Sequence, residues 1–181
     1  IHEVKKDSQR IFSSISDMTM HKTGEYYMLS DVMNLVEVAN EKYGRMLGKQ
    51  VMFHVEQSID FNTNQHIPLL AILNNIVANG IEAMKDSGDI RLSVTQHGDD
   101  IQFTIEDNGK GIPKEDLDII FEPGFTTKYN EQGVAATGIG LSHVREVVRT
   151  LAGTIRVELP ENGTMFIVHI PIQMILQKGA K

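Results

Sequence analysis

The run "IRLSVTQHGDDIQFTIED" at residues 90–107 constrains the fold more than any other stretch. Two segments alternate apolar and polar residues around "HGDD", which reads as an antiparallel hairpin with one buried face. Ile101, Phe103 and Ile105 lie on that face, and the same period of two carries Asp107 onto it. A carboxylate among core positions is costly without a hydrogen-bond donor, so Asp107 needs a partner. The "DNGKGIP" that follows looks at first like a hairpin turn, because Asn-Gly between apolar segments is a strong hairpin signal. Yet "PKEDLDIIFEP" does not alternate and carries Pro early with acids behind it, as a helix start does. Asp107 is therefore expected at the inner end of a strand, followed by Gly109 and Gly111, which permit close approach to the backbone.

Around this hairpin the pattern is mixed. Residues 1–22 read as one helix, broken by Thr23-Gly24, and "EYYMLS" as a short strand or an extended entry. Ser30 or Asp31 is expected to cap a second helix that carries Val32, Leu35, Val36, Val38 and Ala39 toward Leu47. "QVMFHVE" is a strand, residues 66–86 form a third helix, and "GLSHVREVVRTLAG" is an amphipathic helix stopped by Gly153. "TIRVEL" and "TMFIVHIPI" are the last strands. The stretch from Pro113 to Thr137 shows no long period and is expected to be a functional or disordered loop. This order predicts an α+β fold, a two-layer sandwich with helices on one face of a mixed, mostly antiparallel sheet.

Composition removes several functions. The 181 residues carry a net charge of −7, which argues against a nucleic-acid grip, since such proteins neutralise phosphates with basic patches. With no cysteine there are no disulfides or thiolate metal sites, and a cytoplasmic setting is expected. No run of about 18 apolar residues suggests a membrane span, and no leader is recognisable. The chain starts at Ile1 rather than Met, so a fragment or processed product is expected.

Three constellations carry chemistry. At about 100° per residue, Asn75, Asn79, Glu82 and Asp86 share one stripe of the third helix, while Leu70, Leu73, Val77 and Met84 face elsewhere. A solvated face would more often use Glu, Lys or Gln, because Asn is a poor helix former. An amide oxygen suits Mg²⁺, which takes hard oxygen donors and bridges phosphates, so Asn79 is the expected metal ligand. Asp107 is the second element: it fits a helix cap, or an acceptor for the exocyclic amine of an adenine lying against Ile112. The third is "ATGIGLSHV", where Gly138 and Gly140 precede a helix whose free amides and dipole attract an anion, although a tight turn has the same look. Lys128 in "FEPGFTTK" is a candidate phosphate partner, and neither a Rossmann fingerprint nor a P-loop is present.

Taken in order, "LNNIVANGIEA", "DNGKGI", "IFEPGFTTK" and "TGIGLSHV" resemble the N box, first glycine box, F box and second glycine box of bacterial sensor histidine kinases. The similarity runs from about residue 26 to 173 and implies the Bergerat ATP-binding fold, shared with DNA gyrase, mismatch-repair ATPases and ninety-kilodalton heat-shock chaperones. It implies ATP or ADP and Mg²⁺ as ligands, with Asn79 on the metal, Asp107 on the adenine amine, and Gly109, Gly111 and Ile112 around the base. Asn75, Glu82, Phe121, Thr126, Thr127 and Lys128 would complete the nucleotide site, with catalytic duties on Asn75 and Lys128. Gly138, Ile139, Gly140 and Leu141 would cradle phosphates, and Thr164 would help hold the adenine through water. Gly80 and Ala136 depart from the family pattern, where Ala and Gly are usual.

In the hydrolytic relatives a Glu one helical turn before the metal-binding Asn activates water; here that position is Asn75, which is no general base. Transfer to an imidazole needs none, so the resemblance favours a protein-histidine kinase over an ATP hydrolase of the gyrase type. A nucleotide-binding regulator without transfer is the other alternative. The implied partners are a phosphoacceptor histidine of the same or a partner subunit, a response regulator, and a second copy in a homodimer. Neither nucleic acid nor membrane contact is expected of this segment, although a longer protein can be membrane-anchored.

"IHEVKKD" imitates a phosphoacceptor box around His2, but such a histidine sits on the first helix of a two-helix hairpin. "KKDSQRIFSSISDM" instead resembles the second hairpin helix, which puts the phosphoacceptor upstream. The expected division is residues 1–22 as the end of a dimerisation hairpin, 23–175 as the ATP-binding domain, and 176–181 as a tail.

Overall fold

The computed structural model describes residues 26–125 and 140–177. The helix expected over residues 1–22, the division at residue 22, and the second half of the glycine-punctuated loop, from residue 126, lie outside them. A short strand β1 (Tyr27–Met28) leads into helix α1 (Leu29–Met46) and strand β2 (Gln50–Gln57). Strand β3 (Asn62–Thr63) precedes helix α2 (His66–Ala83), and the expected hairpin follows as β4 (Ser87–His97) and β5 (Asp100–Asp107). A single 3-10 turn (Lys114–Asp116), helix α3 (Gly140–Thr150), strands β6 (Thr154–Glu158) and β7 (Thr164–Pro171), and the one-turn helix α4 (Ile172–Ile175) complete it.

Five strands form the main sheet in the order β2-β4-β5-β7-β6. The β2-β4 pair is parallel and the other three pairs are antiparallel, while β1 and β3 pair separately. Alternation gives the sheet its two faces. Ile90, Leu92 and Val94 of β4, Ile101, Phe103 and Ile105 of β5, and Phe166, Val168 and Ile170 of β7 are buried in one core with Val32 and Val36 of α1. Leu73, Ile76 and Val77 of α2 and Val144 and Val148 of α3 join that core. At roughly 1.5–3 kcal/mol for each fully buried large side chain, this contact holds the two layers together.

Several local expectations change. Neither Ser30 nor Asp31 caps α1: the cap position is Met28, with no side-chain hydrogen bond. The helix start is held from a distance instead, Leu29 N–H donating to Phe61 O at 2.9 Å and Ser30 N–H to Asp60 Oδ1 at 3.0 Å. Val38, assigned to the apolar stripe, is 55% exposed. Helix α2 ends at Ala83, so Asp86 lies beyond it and exposed rather than on the asparagine stripe. The helix expected after Pro113 shrinks to the 3-10 turn. At the end of α3 the left-handed residue is Ala152, with φ 55°, and not Gly153. Glycine is still required at 153, where a Cβ would lie 2.5 Å from His169 O.

Candidate functional site

The site is assembled from α2, the end of β5 and the start of β7. Asp107 is 7% exposed and stands at the inner end of β5, opposite Thr164 in the β5-β7 register, itself 3% exposed. Gly109 N–H donates to Asp107 Oδ1 at 2.9 Å. Among the described residues that is the only hydrogen bond to the carboxylate, and Oδ2 receives none. Burial therefore pushes the Asp107 carboxyl up to about 6, with the Gly109 amide working against the shift and the neighbouring Glu106 adding to it. An under-satisfied buried acceptor fits a ligand that brings a donor, as the exocyclic amine of adenine does.

The glycines after Asp107 act through the protein's own packing. A Cβ on Gly109 would lie 2.8 Å from Ala83 Cβ at the end of α2. Gly111 has φ +75°, and a Cβ there would meet Gly163 O at 3.1 Å. Lys110 N–H donates to Ala83 O at 3.0 Å. The turn is thus seated between α2 and the β6-β7 connection, which fixes where Asp107 points. Gly80, a departure from the resemblance, lies under the same carboxylate: its Cβ would come within 2.9 Å of Asp107 Cβ.

On α2 the three stripe residues Asn75, Asn79 and Glu82 are half-buried. Asn75 Nδ2 donates to Ala71 O at 2.6 Å, and its Oδ1 comes within 3.9 Å of where a Gly140 Cβ would sit. Asn75 therefore faces the start of α3, bringing together two motifs 65 residues apart (140 − 75). Asn79 offers the neutral amide oxygen that suits Mg²⁺. Glu82 accepts a hydrogen bond from Tyr43 Oη at 2.7 Å, which ties it to α1. Ile112 and Phe121 pack half-buried against the core, and Leu141 does so from α3. Phe121 meets Phe166 edge-on at 6.3 Å between centroids, and the Arg145 guanidinium stands 5.8 Å over its ring. Thr126, Thr127, Lys128, Gly138 and Ile139 fall outside the described residues.

Several supporting residues have no local sequence signal. Lys49 Nζ donates to Ile81 O at 2.9 Å, Glu82 O at 3.2 Å and Met84 O at 2.7 Å, closing the carbonyl end of α2. Buried Asn40 and Asn74 join α1 to α2 through a 3.0 Å amide hydrogen bond. Only their burial inside helices, which sequence does not display, distinguishes them from surface polar residues. A cavity of about 710 Å³ opens on the α1-β2 side, lined by Arg45, Lys49, Met52, Asp89 and Asn108 among others. Its lining includes neither Asp107 nor Asn79.

Comparison with known proteins identifies the family and the fold. The family model described as histidine kinase-, DNA gyrase B-, and HSP90-like ATPase matches residues 64–174 of the 181. The sensor histidine kinase GlnK of Bacillus subtilis (strain 168) is 41% identical over 181 residues, covering 99% of this chain and 44% of that protein. The catalytic domain of histidine kinase ThkA, in a nucleotide-free form, superposes with a TM-score of 0.66 at 30% identity, over 81% of this chain and 95% of that one. The mycobacterial sensor histidine kinase MprB shares the fold with a TM-score of 0.68 at 20% identity, over 81% of this chain and 96% of that one.

Fold and site thus define an ATP-binding domain of the two-layer α/β class. The chain belongs to the histidine kinase-, DNA gyrase B- and HSP90-like ATPase family, and its curated relatives are sensor histidine kinases. It spans less than half the length of the GlnK relative.

Proposed function

We propose that this chain is the ATP-binding catalytic domain of a sensor histidine kinase, which binds Mg-ATP and supplies its γ-phosphoryl group to a histidine on a dimerisation helix. The observation that carries the reading is Asp107, a buried carboxylate with one hydrogen bond among the described residues, beside Thr164 and facing Gly80 of α2. In this reading Asp107 accepts the adenine amine, Thr164 supports the base, and Ile112 lies against the ring. The phosphates extend toward the start of α3, whose amides and dipole favour negative charge. Asn79 would hold Mg²⁺, whose role is to neutralise charge on the phosphate oxygens.

The imidazole nitrogen attacks the γ-phosphorus, the bond to the bridging oxygen breaks, and ADP departs with the electron pair. Asn75 positions and does not deprotonate, which suits an imidazole nucleophile and leaves water unactivated. Lys128 is assigned to the phosphates, and Thr126, Thr127, Gly138 and Ile139 to the same end of the nucleotide. The phosphoacceptor belongs to the same or a partner subunit of a homodimer, and a response regulator receives the group. No helix among the described residues is long and apolar enough to cross a membrane. A cytoplasmic placement remains part of the proposal, as does the division into residues 1–22, 23–175 and 176–181.

Incubation with γ-labelled ATP tests the reading. If the phosphoacceptor histidine belongs to a helix upstream of residue 1, the chain alone should bind nucleotide yet stay unlabelled, because no in-line nucleophile is then supplied. A separate two-helix hairpin bearing the family histidine should acquire label that is lost in acid and survives alkali. Failure of that hairpin to label while ATP is bound would turn the assignment toward a nucleotide-binding regulator. Strong acid-labile labelling of the chain alone, abolished by His2→Gln, would make "IHEVKKD" the phosphoacceptor box.

A further inference from the structure

We infer that Asp89, at the start of β4, is a positioning residue for base recognition that acts through Asn108. The inference rests on the assignment of Asp107 to the adenine site. Asn108 follows Asp107 directly, and its exposed side chain folds back over the first residues of β4. Its Oδ1 accepts Asp89 N–H at 2.8 Å, and its Nδ2 donates to Asp89 Oδ2 at 3.0 Å. The second carboxylate oxygen of Asp89 is occupied by His54 Nε2 at 2.9 Å, from the neighbouring strand β2. One residue therefore grips Asn108 twice while being held from the other side.

Gly88 makes the grip possible. A Cβ at that position would lie 2.7 Å from Asn108 Oδ1 and 2.6 Å from Met84 Sδ. Any larger residue would lift the Asn108 amide off the strand. Asn108 is the first residue beyond β5 and is joined directly to Asp107, so anchoring its amide on Asp89 restricts how the backbone that carries the Asp107 carboxylate can turn. The turn is pinned again two residues on, where Lys110 N–H meets Ala83 O. Between these points lies the Asp107-Gly109 hydrogen bond that orients the carboxylate. The bond from Asn108 Nδ2 to the Asp89 carboxylate is charge-assisted, the one from Asp89 N–H is a neutral amide pair, and both join residues 19 apart in sequence.

The test is Mg-ATP titration calorimetry on the full chain and a double-mutant cycle. Asp89→Ala should weaken binding about fivefold, the scale of one exposed hydrogen-bonded pair. Asp89→Asn, which keeps the backbone donor and an acceptor oxygen, should stay within about twofold of the unmodified chain. In an Asp107→Asn background, Asp89→Ala should add no further loss, because its effect passes through that carboxylate. Gly88→Ala, which displaces Asn108 and leaves Asp89 intact, should repeat the loss and serves if Asp89→Ala fails to fold. Unchanged affinity in Asp89→Ala, or losses that simply add, would overturn the inference and leave the adenine site standing. Wild-type affinity in Asp107→Asn alone would remove the adenine site itself.

Discussion

Asp107 and Thr164 are register partners across the β5-β7 ladder, both on the core face, at 7% and 3% exposure. Directly opposed residues in an antiparallel pair hold their Cβ atoms about 5 Å apart, so the carboxylate and the hydroxyl address the same small volume. The pair gives the first prediction. Asp107→Asn preserves shape while placing an amide donor where an acceptor is needed, and should cost on the order of 1–3 kcal/mol of ATP binding. Thr164→Val, which removes only the hydroxyl, should cost about 1 kcal/mol. Calorimetry on both variants and their combination checks this, and unchanged affinity in Asp107→Asn removes it from the base site.

A second expectation concerns pH. Burial, the largest cause, lifts the Asp107 carboxyl from its ordinary 3.8 to about 6 in the folded chain. Between those values the folded state binds more protons than the unfolded one. The stability associated with this group is therefore fully present below about pH 4 and is lost as pH rises through about 6. Replacing Asp107 by Asn removes that loss. Denaturation of the ligand-free chain at pH 4.5 and 7.5 should show the Asp107→Asn variant gaining on the order of 2 kcal/mol relative to wild type at the higher pH. A difference that does not change with pH would mean that Asp107 is not the strained acid.

Nucleotide binding should run the opposite way. A donor brought by adenine favours the ionised carboxylate, so ATP affinity should fall as pH drops through about 6. Asp107→Asn retains every other titrating group, including the phosphates. Its affinity profile should be flatter than wild type, and superimposable profiles would contradict the assignment.

Asn79→Ala should weaken Mg-ATP much more than metal-free ATP, because an amide oxygen on the metal is lost rather than a base contact. Titrations with Mg²⁺ and with a chelator distinguish the two cases. Equal losses would make Asn79 a structural residue of α2.

Gly163 has φ +93°, and a Cβ there would overlap Asp107 O. Gly163→Ala should destabilise the chain by about 2–4 kcal/mol, combining left-handed backbone strain with a clash against the β5 backbone. Thermal unfolding measures it, and an unchanged midpoint would mean that the β6-β7 turn is free to move away from Asp107.

The hairpin, the burial of Asp107, the α2 segment and the two-layer class were readable because each rests on a local period of two or 3.6 residues. Four short motifs in order also identified the family, since they need only residue identity and spacing. Periodicity could not show what approaches the glycines. Gly109 and Gly111 read as room for a ligand, whereas Ala83 and Gly163 are the neighbours their missing side chains admit. Nor could it show that Asp60 holds the start of α1, that Lys49 closes the end of α2, or that Asp89 grips Asn108. Those contacts join residues 19 to 35 positions apart and exist only once the strands take the order β2-β4-β5-β7-β6. The sequence by itself determined which residues of the β4-β5 hairpin face the core and which motif carries the carboxylate, because side-chain direction in a strand follows from local backbone geometry. The tertiary structure alone decided how that carboxylate is aimed and how far its acidity shifts, because hydrogen bonding and desolvation depend on every neighbour that packing brings near.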